Sequence, residues 1–282
     1  MQDYQGKVVA ITGAANGMGK ELARRFAAAG ARLALADIDA DNLLALAKQL
    51  GEDGASVRTS VFDVRHFEAM EAFARDTFEA WGCVDLFFDN AGVISVGTIW
   101  EQPLADWDWL LDVNVKGVVH GIKAFVPGML AQDKQSRIVV TSSIAGLLTV
   151  ENSPAYVASK FASLSLTEVL DLQLQGIGAK LTAHVVCPAV VQTDLASCLR
   201  HRDPSTYDAH DPYYRTEDFV TRSAVVTGSM PYGIPVDEAV ETIITEMERG
   251  TFYILTHPAY NPAITGRVSG IVAGVRPTLV AR

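Results

Sequence analysis

The feature that most constrains this chain is an alternation of two kinds of segment. Short, mostly apolar runs at 8–11, 32–36, 57–62, 84–88, 137–141, 181–186 and 251–255 are separated by stretches of helical spacing. These lie at 20–29, 42–50, 67–81, 106–130, 155–174 and 236–249, the fourth with an interruption expected near Gly117. Apolar runs this short predict strands buried on both sides. Strands of that kind, each followed by a helix, predict a parallel sheet covered by helices on both faces. No linker rich in Pro, Gly or Ser divides the 282 residues, and no repeat is visible. The expectation is one doubly wound α/β domain spanning 1–282, with about seven parallel strands. Two parts break the rhythm. Residues 195–235 are polar and Tyr-rich, and a long irregular stretch in a compact domain predicts a lid over a site. Residues 256–282, punctuated by Pro258, Pro262, Gly266, Gly270, Gly274 and Pro277, predict an irregular tail.

Composition removes several function classes. The chain carries 23 Lys+Arg against 33 Asp+Glu, a formal net charge of −10. An acidic chain repels a phosphate backbone, so no nucleic-acid partner is expected. No run of about 18 apolar residues offers a membrane span, and the opening residues do not read as a secretion signal. Cys83, Cys187 and Cys198 form no CxxC pair. That argues against a zinc motif or a disulfide framework and predicts reduced thiols in the cytoplasm. His201, His210, Asp203, Asp208 and Asp211 crowd one segment without metal-ligand spacing, so no metal is expected.

Chemistry enters at the first strand–helix turn. Thr12-Gly13-Ala14-Ala15-Asn16-Gly17-Met18-Gly19 joins an apolar strand to a helix. Glycines let the backbone approach a diphosphate, and a helix N-terminus offers free N–H groups with partial positive charge. The spacing is not the general GxGxxG fingerprint, and a plain tight turn would also account for it. Asp37 ends the second run, 24 residues after Gly13. That is near the distance expected of an acid bonding the adenosine ribose hydroxyls. Its carboxylate would repel a 2′-phosphate, and Asn16 and Ile38 stand where a Lys or Arg would attract one. The expected cofactor is NAD rather than NADP.

Tyr156-Val157-Ala158-Ser159-Lys160 places a phenol and an ammonium four residues apart, on one helix face. A nearby cation lowers an acidic group by roughly 1–3 units, which predicts a Tyr156 pKa of about 7–9. A phenol in that range exchanges protons well with an alcohol. Ser143 lies 13 residues upstream, beyond the fifth run. Thr12-Gly13 with Gly17 and Gly19, Asp63, Asn90-Ala91-Gly92, Asn114, Ser143, Tyr156 and Lys160 together resemble the short-chain dehydrogenase/reductase family. Order and spacing match from about residue 6 to residue 195.

The resemblance implies a Rossmann-type fold and hydride transfer between a secondary alcohol and its ketone. It implies Tyr156 as general acid/base and Ser143 as the donor to the substrate oxygen. Lys160 would lower the Tyr156 pKa and hold the nicotinamide ribose. Asn114 would kink its helix and anchor a water in a proton relay. For the cofactor it implies Gly13, Asn16, Gly17, Met18 and Gly19 at the cradle, with Asp37 and Ile38 at the ribose. Asp63 and Val64 would meet the adenine, Asn90, Ala91 and Gly92 the adenosine side, and Pro188, Val191 and Thr193 the nicotinamide end. Three positions depart from the family pattern: Ala189 follows Pro188 where Gly is common, Asp89 replaces an Asn, and Arg65 replaces a Ser or Thr.

The family's pocket segments here supply Val93, Ile94, Ser95, Ile144, Leu147, Leu148, Val190 and Val191, with Tyr207, Tyr213 and Tyr214 expected from the lid. No Lys or Arg stands among the inner positions. Such a pocket suits a neutral hydrophobic or aromatic alcohol, contacted by Ile94, Ser143, Ile144, Tyr156 and Val190. A weaker similarity, in length and in Phe252-Tyr253-Ile254, is to family members acting on aryl alcohols. The resemblance also implies a homotetramer or homodimer. Two alternatives are a 3-oxoacyl-thioester reductase, against which Asp37 weighs, and a non-catalytic NAD(H)-sensing protein, against which the full Asn-Ser-Tyr-Lys set weighs. Trp100, Trp107 and Trp109 are expected to pack ahead of the long helix, and His66, His120, His184 and His257 to be structural.

Overall fold

The computed structural model describes residues 3–278. The chain alternates β1 (Val8–Thr12), α1 (Gly17–Ala28), β2 (Arg32–Asp37), α2 (Ala40–Glu52), β3 (Ser56–Val61), α3 (Phe67–Trp81) and β4 (Leu86–Asp89). It continues through α4 (Leu104–Leu111), α5 (Gly117–Ala131), β5 (Ser136–Thr141), α6 (Pro154–Gly176) and β6 (Leu181–Val186). Then come α7 (Glu217–Ser229), α8 (Val236–Glu248), β7 (Tyr253–Ile254) and α9 (Asn261–Val272). The strands form one sheet of order β3-β2-β1-β4-β5-β6-β7, every pair parallel. This is the expected Rossmann-type doubly wound sheet. Strand order reverses between β1 and β4, and in such sheets ligands bind at that switch point, beyond the C-terminal strand ends.

Two-sided burial explains the apolar runs. Val8 and Ala10 of β1 face a layer with Phe87, Ile138 and Phe125, under α3, α5 and α6. Val9 and Ile11 face the other layer, with Leu33, Phe88 and Val139, under α1, α2 and α8. Phe125 stacks on Phe87 with ring centroids 3.9 Å apart. Edge strand β3 is less covered than the rest.

The helix expected over 106–130 is interrupted as the sequence indicates. A π-turn at Asp112–Lys116 joins α4 to α5 and carries Asn114. Such one-turn widenings often mark functional sites.

Three expectations are corrected. Residues 195–235 are not irregular throughout. Tight turns at Leu195–His201, Pro204–Thr206 and Pro212–Arg215 lead into α7. Thr216 caps it by accepting from the Phe219 N–H at 3.2 Å, and Glu217 and Asp218 in the first turn complement the helix dipole. The tail is not irregular either: α9 forms despite Gly266 and Gly270, with Pro262 in the first turn, where its missing N–H costs nothing. Residues 279–282 of that expectation lie outside the described residues. Trp109 is buried, but Trp100 is 79% exposed instead of packed.

Among the described residues no helix is long and apolar enough to cross a membrane, no cluster of side chains could hold a metal ion, and all three cysteines are free.

Candidate active site

A cleft of about 490 Å³ lies over the C-terminal ends of the central strands, from Asp37 at the end of β2 to Pro188 after β6. The turn after β1 is locked to the turn after β4. The Thr12 hydroxyl accepts from the Asn90 and Ala91 N–H groups at 3.0 and 3.2 Å. Asn90 Nδ2 donates back to the Thr12 and Gly13 carbonyls. The approach is so close that a Cβ on Gly13, whose φ is +65°, would sit 2.8 Å from Ala91 Cα. Gly13, Asn16, Gly17 and Met18 line the cleft. Gly19 instead packs beneath the turn against the Gly13 carbonyl, leaving no room for a side chain.

Asp37 lines the same end with Ile38. Its Oδ2 accepts from the Ala15 N–H at 2.8 Å and its Oδ1 from the Asp39 N–H at 2.9 Å. Burial pushes the Asp37 carboxyl above its ordinary range, while those two N–H groups pull it back. Asp63 and Val64 also line the cleft, and Asp63 is held by Arg65 at 2.8 Å. The residue that departs from the family pattern thus fixes its neighbour's carboxylate.

At the other end Ser143, Tyr156 and Lys160 line the cleft together, beside Pro188, Val191 and Thr193. Ser143 is near enough to Tyr156 for a side-chain hydrogen bond. Its hydroxyl also accepts from the Ala145 N–H at 3.1 Å and donates to the Pro188 carbonyl at 3.3 Å. Lys160 Nζ donates to the Thr141 carbonyl at 2.9 Å and stands 5.7 Å from the Tyr156 ring centroid. Asn114 lies behind them and not on the cleft wall. Its Oδ1 accepts from the Val93 N–H, and its Nδ2 donates to the Val93 carbonyl and to Ser159 Oγ, each at 2.9 Å. Its amide therefore ties the turn after Gly92 to α6.

The expected acidity of Tyr156 is corrected. Burial pushes the phenol up to about 12, with the Ser143 bond opposing the rise. Burial also holds Lys160 down, at about 8, with Asp89 raising it. The physical reason is that both groups are largely buried, and the ammonium is directed at the Thr141 carbonyl. Asp89 is itself fully buried, and its carboxyl is pushed up to about 8. Cys187, beside the site, is raised to about 12 by burial, which makes it unreactive.

The substrate end differs in part from expectation. Val93, Ile94, Ile144, Leu148, Val190 and Val191 line the cleft, but Ser95 and Leu147 do not. Ser95 is buried and bonded by Gln102, and Leu147 packs against Leu164 and Val185. The lid tyrosines do not reach the cleft. Tyr213 and Tyr214 pack edge-on to one another, and Tyr207 lies over the Arg202 guanidinium at 4.1 Å. The cleft is lined there instead by Val225, Val226 and Met230 at the end of α7 and by Tyr260 before α9. The available signal for the first three was the cap at Thr216 and the acidic first turn after it.

A glycine-lined turn opening onto a buried Ser–Tyr–Lys set defines a Rossmann-type oxidoreductase site. The comparisons with known proteins make the assignment specific. The short chain dehydrogenase family model matches residues 7–204, and the chain belongs to the short-chain dehydrogenase/reductase family. A CLA biosynthesis dehydrogenase/reductase of Lactiplantibacillus plantarum is 36% identical over 277 residues, covering 98% of this chain and 97% of its own. A C alpha-dehydrogenase of Sphingobium sp. is 30% identical over 280 residues, covering 98% of this chain and 89% of its own. The crystal structure of a short chain dehydrogenase/reductase from Burkholderia phymatum in complex with NAD superposes with a TM-score of 0.96 at 35% identity, over 100% of both chains.

Proposed function

We propose that this oxidoreductase uses NAD(H) to interconvert a neutral, hydrophobic or aromatic secondary alcohol and its ketone. One observation carries the reading: the glycine turn with Asp37 and the Ser143–Tyr156–Lys160 set line one continuous space. Beyond that set the wall carries the apolar side chains of Ile94, Ile144, Leu148, Val190, Val225 and Met230, with Asn152 and Ser229 among them. Asp37 with Asp39 behind it disfavours a second phosphate, and the NAD held by the Burkholderia phymatum relative supports the same choice. The two relatives named as dehydrogenases support the reaction class.

Bound NAD supplies the hydride acceptor, or as NADH the donor, and in its oxidised form a cationic ring. The chain supplies the rest. Gly13, Asn16, Gly17 and Met18 take the diphosphate, and Asp37 and Ile38 the adenosine ribose. Asp63, Val64, Asn90, Ala91 and Gly92 wall the adenosine side, and Pro188, Val191 and Thr193 fix the nicotinamide end. Ser143 donates a hydrogen bond to the substrate oxygen and favours charge forming there. Tyr156 accepts the hydroxyl proton as the carbinol hydride departs, and returns it in the reverse direction. Lys160 places positive charge beside the phenol, the direction needed to offset the rise that burial imposes. Asn114 acts by position, holding the Val93 turn and the start of α6. Residues 195–235 form the lid. Val169 and Leu172, exposed on α6, fit association into a homotetramer or homodimer, and the free thiols fit a reducing cytoplasm.

A panel of aryl and alkyl secondary alcohols, each with NAD and with NADP, tests the reading by nicotinamide absorbance. Turnover of apolar alcohols with NAD is expected. Preference for NADP contradicts the role of Asp37. Reaction restricted to charged acyl-thioesters contradicts the pocket, and NADH binding without turnover of any alcohol favours a sensor.

A further inference from the structure

Pro188, Ala189, Val190 and Val191, in the turn after β6, all line the cleft. One peptide of that turn is held on both sides. A peptide unit is planar, with its carbonyl and its N–H pointing in opposite directions. The Pro188 carbonyl accepts from the Ser143 hydroxyl at 3.3 Å and from the Ile144 N–H at 2.8 Å. On the other side of the same unit, the Ala189 N–H donates to His257 Nδ1 at 3.3 Å. His257 follows β7 and does not line the cleft itself. Its second ring nitrogen, Nε2, lies 3.0 Å from the Val190 carbonyl.

These partners fix the tautomer. The Ala189 N–H can only donate, so Nδ1 is bare. The Val190 carbonyl can only accept, so Nε2 carries the proton. A neutral imidazole has one nitrogen of each kind. The Thr256 hydroxyl, 2.7 Å from Nδ1, is then a second donor to it. The ring therefore grips the turn at two points. Ser143 is constrained in its turn. Its oxygen accepts from the Ala145 N–H at 3.1 Å, so the direction of its proton depends on where the Pro188 carbonyl stands. Rotating that peptide breaks the His257 bond and carries the carbonyl away from Ser143 at the same time.

We propose that His257 is a positioning residue: by holding the Pro188–Ala189 peptide in one orientation, it fixes Ser143 in the arrangement from which the hydroxyl serves the substrate oxygen. The inference rests on the role proposed above for Ser143. His257 acts through the backbone and touches neither substrate nor cofactor.

Steady-state kinetics with an apolar secondary alcohol and NAD, together with calorimetric titration of NADH, test it on the wild type, His257→Ala, His257→Asn and His257→Gln. An Asn side chain reaches the Nδ1 position and can offer its oxygen to the Ala189 N–H. A Gln side chain reaches the Nε2 position and keeps only the donor to Val190. His257→Ala is expected to lower kcat about three- to tenfold, the range of one hydrogen bond, and to leave NADH affinity unchanged. His257→Asn should recover kcat and His257→Gln should not, a contrast that stands even if the alanine variant fails to fold. Adding His257→Ala to Ser143→Ala should cost nothing further, because both changes act through one hydroxyl. Wild-type kcat in His257→Ala overturns the proposal and leaves the reaction intact. Recovery by Gln in place of Asn overturns it, as do independent losses in the double variant. A matching loss of NADH affinity also overturns it, because the whole turn would then have loosened. A wild type that turns over no alcohol overturns the role of Ser143 along with that of His257.

Discussion

The floor and the roof of the cleft are held by different means. The floor hangs from the sheet. Lys160 bonds the Thr141 carbonyl at the end of β5, Thr12 bonds the turn after β4, and Asn114 joins that turn to α6 through the fully buried Ser159. The roof hangs from a few long-range contacts. The main one is the Arg202–Asp106 ion pair, with side chains 0% and 1% exposed. Trp109 and Tyr207 flank the guanidinium at 4.9 and 4.1 Å, and Tyr214 donates to Asp106 at 2.6 Å. Tyr213 adds a bond to the Val96 carbonyl at 2.7 Å, while α7 has no buried residue at all. The groups proposed to do chemistry therefore have one arrangement, fixed by the fold. The groups proposed to read the substrate stand on an element that can change without disturbing the sheet.

The largest expected effect lies in the floor. Tyr156→Phe removes the proton acceptor and should lower kcat by about 10²- to 10⁴-fold, while calorimetry shows NADH binding within a few-fold of wild type. A variant that turns over normally would separate the floor from the chemistry. The next lies in the roof. Arg202→Met leaves a carboxylate buried without its cation, a loss of about 3–5 kcal/mol in denaturant unfolding or in the local opening that limited proteolysis reports. The double variant Arg202→Met, Asp106→Leu should recover most of it. Cleavage within 195–235 that is no faster than wild type would show that this pair does not hold the roof.

A third expectation concerns pH. An Asp unfolded near pKa 3.9 and folded at about 8 keeps its proton in the native state between those values. The native state then binds the extra proton, so stability is full below about pH 4 and is lost as pH rises towards 8. Asp89→Asn should flatten that slope and melt higher than wild type at pH 8. Lys160, folded at about 8 and unfolded near 10.4, works the other way, its burial cost being relieved between those values. Melting temperatures across pH 4–9 check both signs. The smallest effect is expected from Val225→Phe on α7. It should move kcat/KM from bulky towards small alcohols by about tenfold, as pocket-size changes do.

The same contrast governs what could be read in advance. The strands of the floor are legible because two-sided burial writes continuous apolar runs, and the glycine turn and the Tyr156–Lys160 pair are legible because each is local. The roof is not. Arg202 meets Asp106 across 96 positions, and no local pattern signals such a pair. Tyr207, Tyr213 and Tyr214 look like pocket aromatics by composition, but they pack on Arg202, on one another and on Phe219. The apolar residues that do reach the cleft there, Val225 on α7 and Met230 just after it, depend on a helix that needs Thr216 to be recognised as its cap. The acidity of Tyr156 also escaped. Four-residue spacing puts a cation on the same face, but spacing carries no information about how deeply both groups are buried.

In the proposed reaction, hydride passes directly between a carbinol carbon and the nicotinamide. A secondary alcohol deuterated at its carbinol carbon, oxidised with NAD in ordinary water, tests this most directly. One deuterium per turnover is expected on the reduced nicotinamide ring, with almost none formed by Tyr156→Phe in the same time. Label lost to solvent, or a reduced cofactor carrying only solvent hydrogen, would contradict it.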